Sequence, residues 1–317
     1  MRIMIIGGGS LGLLFAGKLA QSGHDLTVVT RTKEQALELQ ARGITVVEPD
    51  REELVLTRDN KFKFITIDDL NAHSNQSSPI DYICLMVKQA AINNELIDQI
   101  QRQMSPNTYV IGFQNGIGHE RRLSELIGQE RVLLSVTTEG AKRLTASSVA
   151  HTGRGITYLG SMDPSSQIDA NPHHLLFAQA LEREGIHTIL SKNMEVRVWS
   201  KLVINAVINP LTAILRVNNG GLLSSSWALS LMKDLYEEAR SVAEALQIDL
   251  PGDLWTSILD VCEKTSWNHS SMLQDIEASR QTEIDYMNGS LVQFAKEQGL
   301  KLPMNDFVYR MIKAIEY

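Results

Sequence analysis

Short apolar runs alternate with helix-like segments up to about residue 190. Several runs lack the apolar–polar alternation of a half-exposed strand, as expected for parallel strands that are covered on both faces. The alternation of strand and helix therefore predicts βαβ units and a parallel sheet. The strand-like runs are Arg2–Ile6, Leu26–Thr30, Tyr82–Val87, Tyr109–Gly112 and Val132–Val136.

Two regions depart from this pattern. Between Ile44 and Ile67, shorter segments separated by charged turns predict an antiparallel addition, and the stretch His151–Gly160 has a similar hairpin character. A helix near His174–Glu184 and a strand near His187–Leu190 then complete the region.

The pattern changes after about residue 192, where long segments with helical spacing replace the strand-like runs. The sequence therefore predicts an α/β N-terminal domain of the Rossmann type over residues 1–191. An all-α C-terminal domain follows over residues 192–317.

A glycine motif opens the first domain. Gly7, Gly9 and Gly12 form G-x-G-x-x-G between the first strand and a helix-like stretch, which is the context that dinucleotide binding requires. The first glycine permits a tight turn, the second lets a pyrophosphate approach the backbone, and the third allows close helix packing. The predicted cofactor-binding residues of this turn are Gly7, Gly8, Gly9, Ser10, Leu11 and Gly12.

The residue at the end of the second strand indicates which dinucleotide binds. NAD-selective proteins usually carry Asp or Glu about twenty residues after the glycines, whereas this chain has Arg31. A guanidinium pairs with a 2′-phosphate, and Lys33 would add charge, so NADP(H) is favoured over NAD(H). Lys88 and Asn115 follow later strands at the sheet edge where ligands bind, although either could be an ordinary loop residue.

A polar stripe distinguishes the first long helix-like stretch of the second domain. Lys201, Asn205 and Asn209 are four residues apart, and four residues turn a helix by about 400°, so they share one face among apolar neighbours. This pattern favours a substrate site over a solvated face. Pro210 is expected to kink or end the helix.

A second polar group follows. Asn268 and Ser271 lie where a helix is expected to begin and would either cap it or bind an anionic ligand. Glu283 and Asp285 would either belong to the site or be solvated charges.

Composition narrows the classes of function. Thirty Lys and Arg against 37 Asp and Glu give a net charge of −7, which disfavours nucleic-acid binding. Two cysteines, Cys84 and Cys262, fit buried thiols in a reducing cytoplasm. No metal-binding motif is present, and no uninterrupted apolar run is long enough for a membrane span. His24, His119 and His151 are placed in turns and interpreted as structural, which leaves lysine as the acid–base group.

With these motifs the chain resembles the ketopantoate reductases over nearly its whole length. The resemblance rests on GGGSLG with Arg31, on Lys88, on FQNGIG, on the stretch from Thr137 to Gly160 and on the C-terminal motifs. The C-terminal motifs are WSKLVINAVINPLTAI, the Asn218–Gly220 stretch, SSMLQDI and RQTEIDYMNG. Gln89–Ala91 departs from the pattern, because many members have an aromatic residue and then glutamine after the lysine.

The resemblance implies NADPH-dependent reduction of 2-dehydropantoate to (R)-pantoate, a step toward pantothenate and coenzyme A. It implies Lys201 as the catalytic lysine and general acid, and Glu283 as the essential carboxylate. The implied substrate contacts are Lys201, Asn205, Asn209, Asn219 and Ser271. The implied cofactor-side residues beyond the glycines are Arg31, Lys88, Asn115, Asn268 and Glu283.

The sequence alone leaves two alternatives open. The chain could reduce another branched 2-oxo acid with the same lysine, or it could be a non-catalytic NADP(H)-binding regulator. The expected partner is a small 2-oxo acid rather than a nucleic acid or a membrane. A homodimer is compatible with the sequence, which does not decide the oligomeric state.

Overall fold

The computed structural model describes residues 1–49, 54–57, 62–70, 79–163, 166, 168 and 171–316. Their strands are β1 (Arg2–Ile6), β2 (Asp25–Thr30), β3 (Ile44–Val47), β4 (Leu54–Thr57), β5 (Phe62–Thr66), β6 (Tyr82–Leu85), β7 (Tyr109–Gly112), β8 (Val132–Thr137), β9 (Gly140–Arg143), β10 (Ser148–Gly153), β11 (Thr157–Gly160) and β12 (Thr188–Leu190). Their helices are α1 (Ser10–Ala20), α2 (Lys33–Arg42), α3 (Asn94–Gln103), α4 (His119–Ile127), α5 (Pro172–Arg183), α6 (Met194–Leu215), α7 (Ser226–Ala245), α8 (Leu254–Lys264), α9 (Ser271–Glu277), α10 (Asn288–Glu297) and α11 (Pro303–Ile315).

The chain divides into two compact units. One comprises residues 1–114 and 119–194, and the other comprises residues 195–317 together with the short segment 115–118. The first unit is α/β, and the described part of the second is helical, so the predicted fold class is confirmed.

The main sheet of the first unit has the strand order β12-β11-β8-β7-β6-β1-β2-β5. From β5 to β8 the strands are parallel and follow the doubly wound order of dinucleotide-binding domains, while β11 pairs antiparallel with β8. Apolar side chains cover both faces, which explains why the strands lack alternation.

A second sheet of order β4-β3-β10-β9 packs near α1. Here β3 pairs antiparallel with β4, as the hairpin-like pattern predicted. The prediction was wrong for β5, which pairs parallel with β2 in the main sheet. Gly17 allows the close approach of α1, because a Cβ there would collide with the Val46 side chain.

Helix α6 runs through the core of the second unit. Trp199, Leu202 and Val203 are among its buried residues, and 67% of its most apolar 18-residue stretch is buried. By length and composition alone, it is the one helix in the described residues that could cross a membrane.

Of the two predicted effects of Pro210, a kink or an end of the helix, the structure excludes the end, because α6 continues to Leu215. Proline lacks an N–H, so the carbonyl of Ala206, four residues earlier, loses its helical donor. The Asn288 side chain supplies a replacement by donating from Nδ2 to that oxygen at 3.0 Å. Asn288 also donates to Asn305 Oδ1 at 3.0 Å, so the Ala206 carbonyl beside the proline belongs to a buried polar network.

Replacing Asn288 by alanine is expected to lower the free energy of unfolding by about 1–3 kcal/mol, because the Ala206 carbonyl would stay buried without a donor. Urea unfolding of the full chain measures this loss. Gln293→Ala, an exposed change on the same helix, is the control and should change the value by less than about 0.5 kcal/mol. Equal stability of both variants would show that the network does not support the proline.

Candidate functional site

The glycine turn between β1 and α1 has room for a ligand at one glycine and no room at two others. A Cβ on Gly7, where φ is +126°, would collide with the Met86 backbone, and a Cβ on Gly12 would collide with the Gly7 carbonyl. A Cβ on Gly9 would meet no atom within 4 Å. The second glycine therefore faces the open space that the approach of a pyrophosphate requires.

The cations that the sequence assigns to the cofactor follow β2 and β6, the two strands that flank β1 in the main sheet. Arg31 is exposed directly after β2, and Lys33 is the exposed first residue of α2. Lys88 is exposed and precedes the 3₁₀ turn Gln89–Ala91 that follows β6. Gln89, where the chain departs from the family pattern, is buried.

Three further residues shape the same region. Gln35 donates to the carbonyl oxygens of Gly8 at 2.8 Å and Ala146 at 2.9 Å, so α2 fixes the glycine turn. The Arg143 backbone N–H donates to Ser10 Oγ at 3.1 Å. Gln114 donates to the carbonyl oxygens of Leu85, the last residue of β6, and of Val87 just after it. The sequence gives no sign of the Arg143 contact, because 133 positions separate the two residues.

In the second unit, Lys201 lies partly buried on α6. Burial lowers the pKa of Lys201 to about 8, and the negative charge of Glu283 acts in the opposite direction. A lysine with such a pKa can exchange a proton near neutral pH.

The other members of the polar stripe differ in exposure. Asn205 is partly buried, whereas Asn209 is 5% exposed and donates to the Met287 sulfur at 3.7 Å. The far end of α6 contacts the start of α9, where Thr212 Oγ1 donates to Ser270 Oγ at 2.7 Å.

Ser270, rather than Ser271 or Asn268, caps α9 by accepting from the Leu273 N–H at 3.1 Å. Ser271 is the exposed first residue of the helix, and the Asn268 side chain is exposed before it. Because Ser270 is the cap, the side chain of Ser271 is not needed for that role.

Asn219 lies in the 3₁₀ helix Asn219–Ser224 and is largely buried. Its Nδ2 donates to Thr265 Oγ1 at 2.8 Å, and its backbone N–H donates to the Asn268 carbonyl. Its Oδ1 is buried with no hydrogen-bond partner among the described residues, which leaves an acceptor for a ligand.

Glu283 and Asp285, grouped together in the sequence, have different surroundings. Glu283 Oε2 accepts from Asn115 Nδ2 at 3.2 Å. Asp285 accepts from Tyr309 Oη at 2.8 Å and pairs with Lys313 at 3.0 Å, so it is neither a solvated helix charge nor free for a ligand. Burial would lower the pKa of Lys313, but its bonds to Glu316 and Asp285 outweigh this effect and raise it.

The segment 115–118 belongs to the second unit because it packs on the turn after Glu283. The Ile117 N–H donates to the Tyr286 carbonyl at 3.2 Å. Gly116 has a φ of +81°, and a Cβ there would collide with that carbonyl. This close approach explains why glycine follows Asn115 and how Asn115 reaches Glu283.

Comparisons with known proteins cover both units. The family described as ketopantoate reductase PanE/ApbA matches residues 3–164, and its C-terminal counterpart matches residues 193–316. A 2-dehydropantoate 2-reductase of Bacillus subtilis is 34% identical over 100% of this chain and 98% of its own length. One of Pyrococcus horikoshii is 30% identical over the same shares of the two chains.

A solved structure of another enzyme is also similar. D-mandelate dehydrogenase, in a ternary structure with NADH and anilino(oxo)acetate, superposes with a TM-score of 0.86 at 25% identity. The similarity covers 100% of this chain and 98% of that one.

Proposed function

This chain belongs to the ketopantoate reductase family of oxidoreductases, and we propose from this premise that it reduces 2-dehydropantoate to (R)-pantoate with NADPH. The product would serve pantothenate and coenzyme A synthesis. The observation that carries the proposal is the placement of Lys201, partly buried on α6 among apolar neighbours, where the negative charge of Glu283 favours its ammonium form.

The first unit fits a dinucleotide. The open space at Gly9 is where a Cβ would obstruct a pyrophosphate, and the exposed Arg31 and Lys33 provide charge for a 2′-phosphate. Lys88 would bind on the cofactor side as well. When bound, the nicotinamide supplies the hydride of the reduction.

A pair of glycine variants separates folding from cofactor binding. Gly12→Ala is expected to destabilise the chain by about 1–3 kcal/mol, because its Cβ collides with the Gly7 carbonyl. Gly9→Ala is expected to leave the melting temperature unchanged and to weaken NADPH binding by about 10-fold or more, because its Cβ occupies the open space. Thermal unfolding and nucleotide fluorescence give the two readouts. Unchanged NADPH affinity in Gly9→Ala would contradict this placement of the pyrophosphate.

Lys201 would act on the substrate's 2-oxo group. Negative charge develops on the carbonyl oxygen as hydride reaches the carbon, and the ammonium of Lys201 stabilises that charge. Lys201 would then donate its proton to the same oxygen as general acid. Glu283 would keep Lys201 protonated and accept from the substrate's terminal hydroxyl.

The amides and the serine would orient the substrate. Asn205 shares a helix face with Lys201, and Asn219 presents the buried Oδ1 that lacks a partner in the described structure. Ser271 would bind the carboxylate of the substrate at the start of α9. Asn209, the most buried residue of the polar stripe, would also contact the substrate. Asn115, which donates a hydrogen bond to Glu283, would contact the cofactor. Asn268 would contact the cofactor as well.

We also propose a cytoplasmic location and a homodimer. Both cysteines are free and buried, which suits a reducing compartment. In the second unit Trp227 and Trp267 are 82% and 89% exposed, and association would remove such large apolar side chains from water.

The similarity to D-mandelate dehydrogenase supports a second candidate, the reduction of another 2-oxo acid with NADH. Initial rates with ketopantoate, 2-oxoisovalerate and phenylglyoxylate, each with NADPH and NADH, separate the candidates. We expect the highest kcat/KM with ketopantoate and NADPH. A higher value with phenylglyoxylate or with NADH would favour the second candidate, and cofactor binding without turnover of any acid would indicate a regulator.

A further inference from the structure

A buried group of four charged side chains lies in the first unit, and the proposed reaction does not use it. Lys18 Nζ lies 2.5 Å from Glu48 Oε1. Glu48 Oε2 lies 3.2 Å from His151 Nδ1, and His151 Nε2 lies 2.6 Å from Glu139 Oε2. The four side chains are between 0% and 9% exposed. We call this group the buried tetrad.

The geometry of the tetrad requires an extra proton. Both ring nitrogens of His151 face carboxylates, and an ionised carboxylate only accepts hydrogen bonds. A neutral imidazole has one N–H and would leave one carboxylate facing a lone pair. With His151 as imidazolium, two cations and two anions balance, whereas a neutral His151 leaves a net negative charge in the interior.

The surrounding charges favour that proton. The hydrogen bond to Glu139 raises the pKa of His151 against the opposing effect of burial, and Glu48 adds to the increase. Burial would raise the pKa of Glu48, but its bonds to Lys18 and His151 hold it below its usual range. The exposed Arg154 lies 4.0 Å from Glu48 at the rim. Folding raises the pKa of His151. Protonated His151 therefore contributes its full stabilisation of the fold below about pH 6.5, the pKa of an unperturbed histidine, and this stabilisation is lost as pH rises through the pKa of the folded state.

The tetrad connects the two elements that border the glycine turn. Lys18 lies on α1, the helix that begins at the turn, and Glu139 directly precedes β9. At the other end of β9, the Arg143 N–H binds Ser10 Oγ at 3.1 Å and the Arg143 side chain lies 3.5 Å from the Gly8 carbonyl oxygen. His151 lies on β10, which pairs antiparallel with β9 through the backbone, and its side chain adds a contact to Glu139 at the start of β9.

We propose that His151 is a positioning residue for dinucleotide binding, which its imidazolium supports by fixing Glu139 and β9 beside the glycine turn. This rests on the proposed function, because it assumes that the turn binds the dinucleotide. His151 touches neither ligand nor reacting atoms in this account. It should therefore affect cofactor affinity and leave the chemical step unchanged.

The test compares His151→Gln with wild type in the full chain. We expect the Kd of NADPH to rise by about 10-fold, because the variant loses one charge-assisted hydrogen bond that fixes β9. The Kd of NADH should rise by the same factor, because the contact concerns the turn rather than the 2′-phosphate. At saturating NADPH, kcat should stay within twofold of wild type.

A matched control and a rescue accompany this variant. His187 also pairs with a glutamate, Glu182, at 2.8 Å, but it is 57% exposed, so His187→Gln should leave the Kd unchanged. Glu139→Gln added to His151→Gln removes the unbalanced charge and should recover part of the affinity. A merely structural role would lower the melting temperature without this selective change in Kd.

The possible outcomes distinguish failure of the positioning role of His151 from failure of the proposed function. An NADPH Kd within twofold of wild type in His151→Gln, or a fall in kcat as large as the rise in Kd, overturns the positioning role. If His151→Gln does not fold, Glu139→Gln alone replaces it, with an expected threefold or larger rise in Kd, and an unchanged Kd overturns the inference. Failure of wild type to bind either nucleotide would instead overturn the proposed function.

Discussion

Replacement of Lys201 by alanine is expected to lower kcat with ketopantoate by about 10²- to 10⁴-fold, because both proton donation and charge stabilisation at the carbonyl oxygen are lost. The Kd of NADPH should change much less, since Lys201 is assigned to the substrate. Steady-state rates at saturating NADPH, together with nucleotide fluorescence, measure the two effects.

The Lys201 variant should also fold. Burial lowers the pKa of Lys201 to about 8, so the charged form opposes folding at pH 7, and its removal should leave the melting temperature equal to or above that of wild type. Lys296→Ala, an exposed change on α10, is the control for loss of a lysine. Lys201→Arg keeps the charge but donates a proton poorly, so it separates the two roles. A Lys201→Ala variant with nearly intact kcat would refute the assignment.

Replacement of Glu283 by glutamine is expected to lower kcat/KM for ketopantoate by about 10²-fold, because the charge that favours protonated Lys201 disappears. The kcat/KM of the wild type should be highest at pH values below the pKa of Lys201 and should fall as pH rises through about 8, because Lys201 then loses its proton. In Glu283→Gln this alkaline limb should move to lower pH, since Glu283 raises the pKa of Lys201. The pH dependence of kcat/KM measures the displacement.

Asp285→Asn is the matched control, because it removes a carboxylate two residues away. Asp285 binds Tyr309 and Lys313, so this variant should lose stability and keep its pH profile. The same displacement of the limb in both variants would show that a general loss of charge, rather than Glu283 itself, is responsible.

Much of the first unit was predictable from short-range patterns. The main strands are buried on both faces and therefore lack alternation, and the glycine motif follows β1 directly. The charged turns around β5 resemble hairpin turns and therefore predict an antiparallel addition there. Its pairing with β2 depends on contacts distant in sequence, which local pattern does not encode.

The candidate site was predictable where spacing alone places side chains on one face. Lys201 and Asn205 lie on one helix as predicted, and that helix continues through Pro210 because Asn288, 82 positions from Ala206, supplies the missing donor. The sequence predicts a turn at His151, but this residue lies on β10 within the buried tetrad. Its partners come from separate elements, so one sequence gives no sign of them.

The most direct test of the central claim is the product formed from ketopantoate and NADPH. We predict saturable NADPH oxidation, one (R)-pantoate formed for each NADPH consumed, and a kcat/KM for NADPH at least about 10-fold above that for NADH, because Arg31 can pair with a 2′-phosphate. NADPH oxidation without pantoate, no turnover of ketopantoate, or faster turnover with NADH would contradict the account.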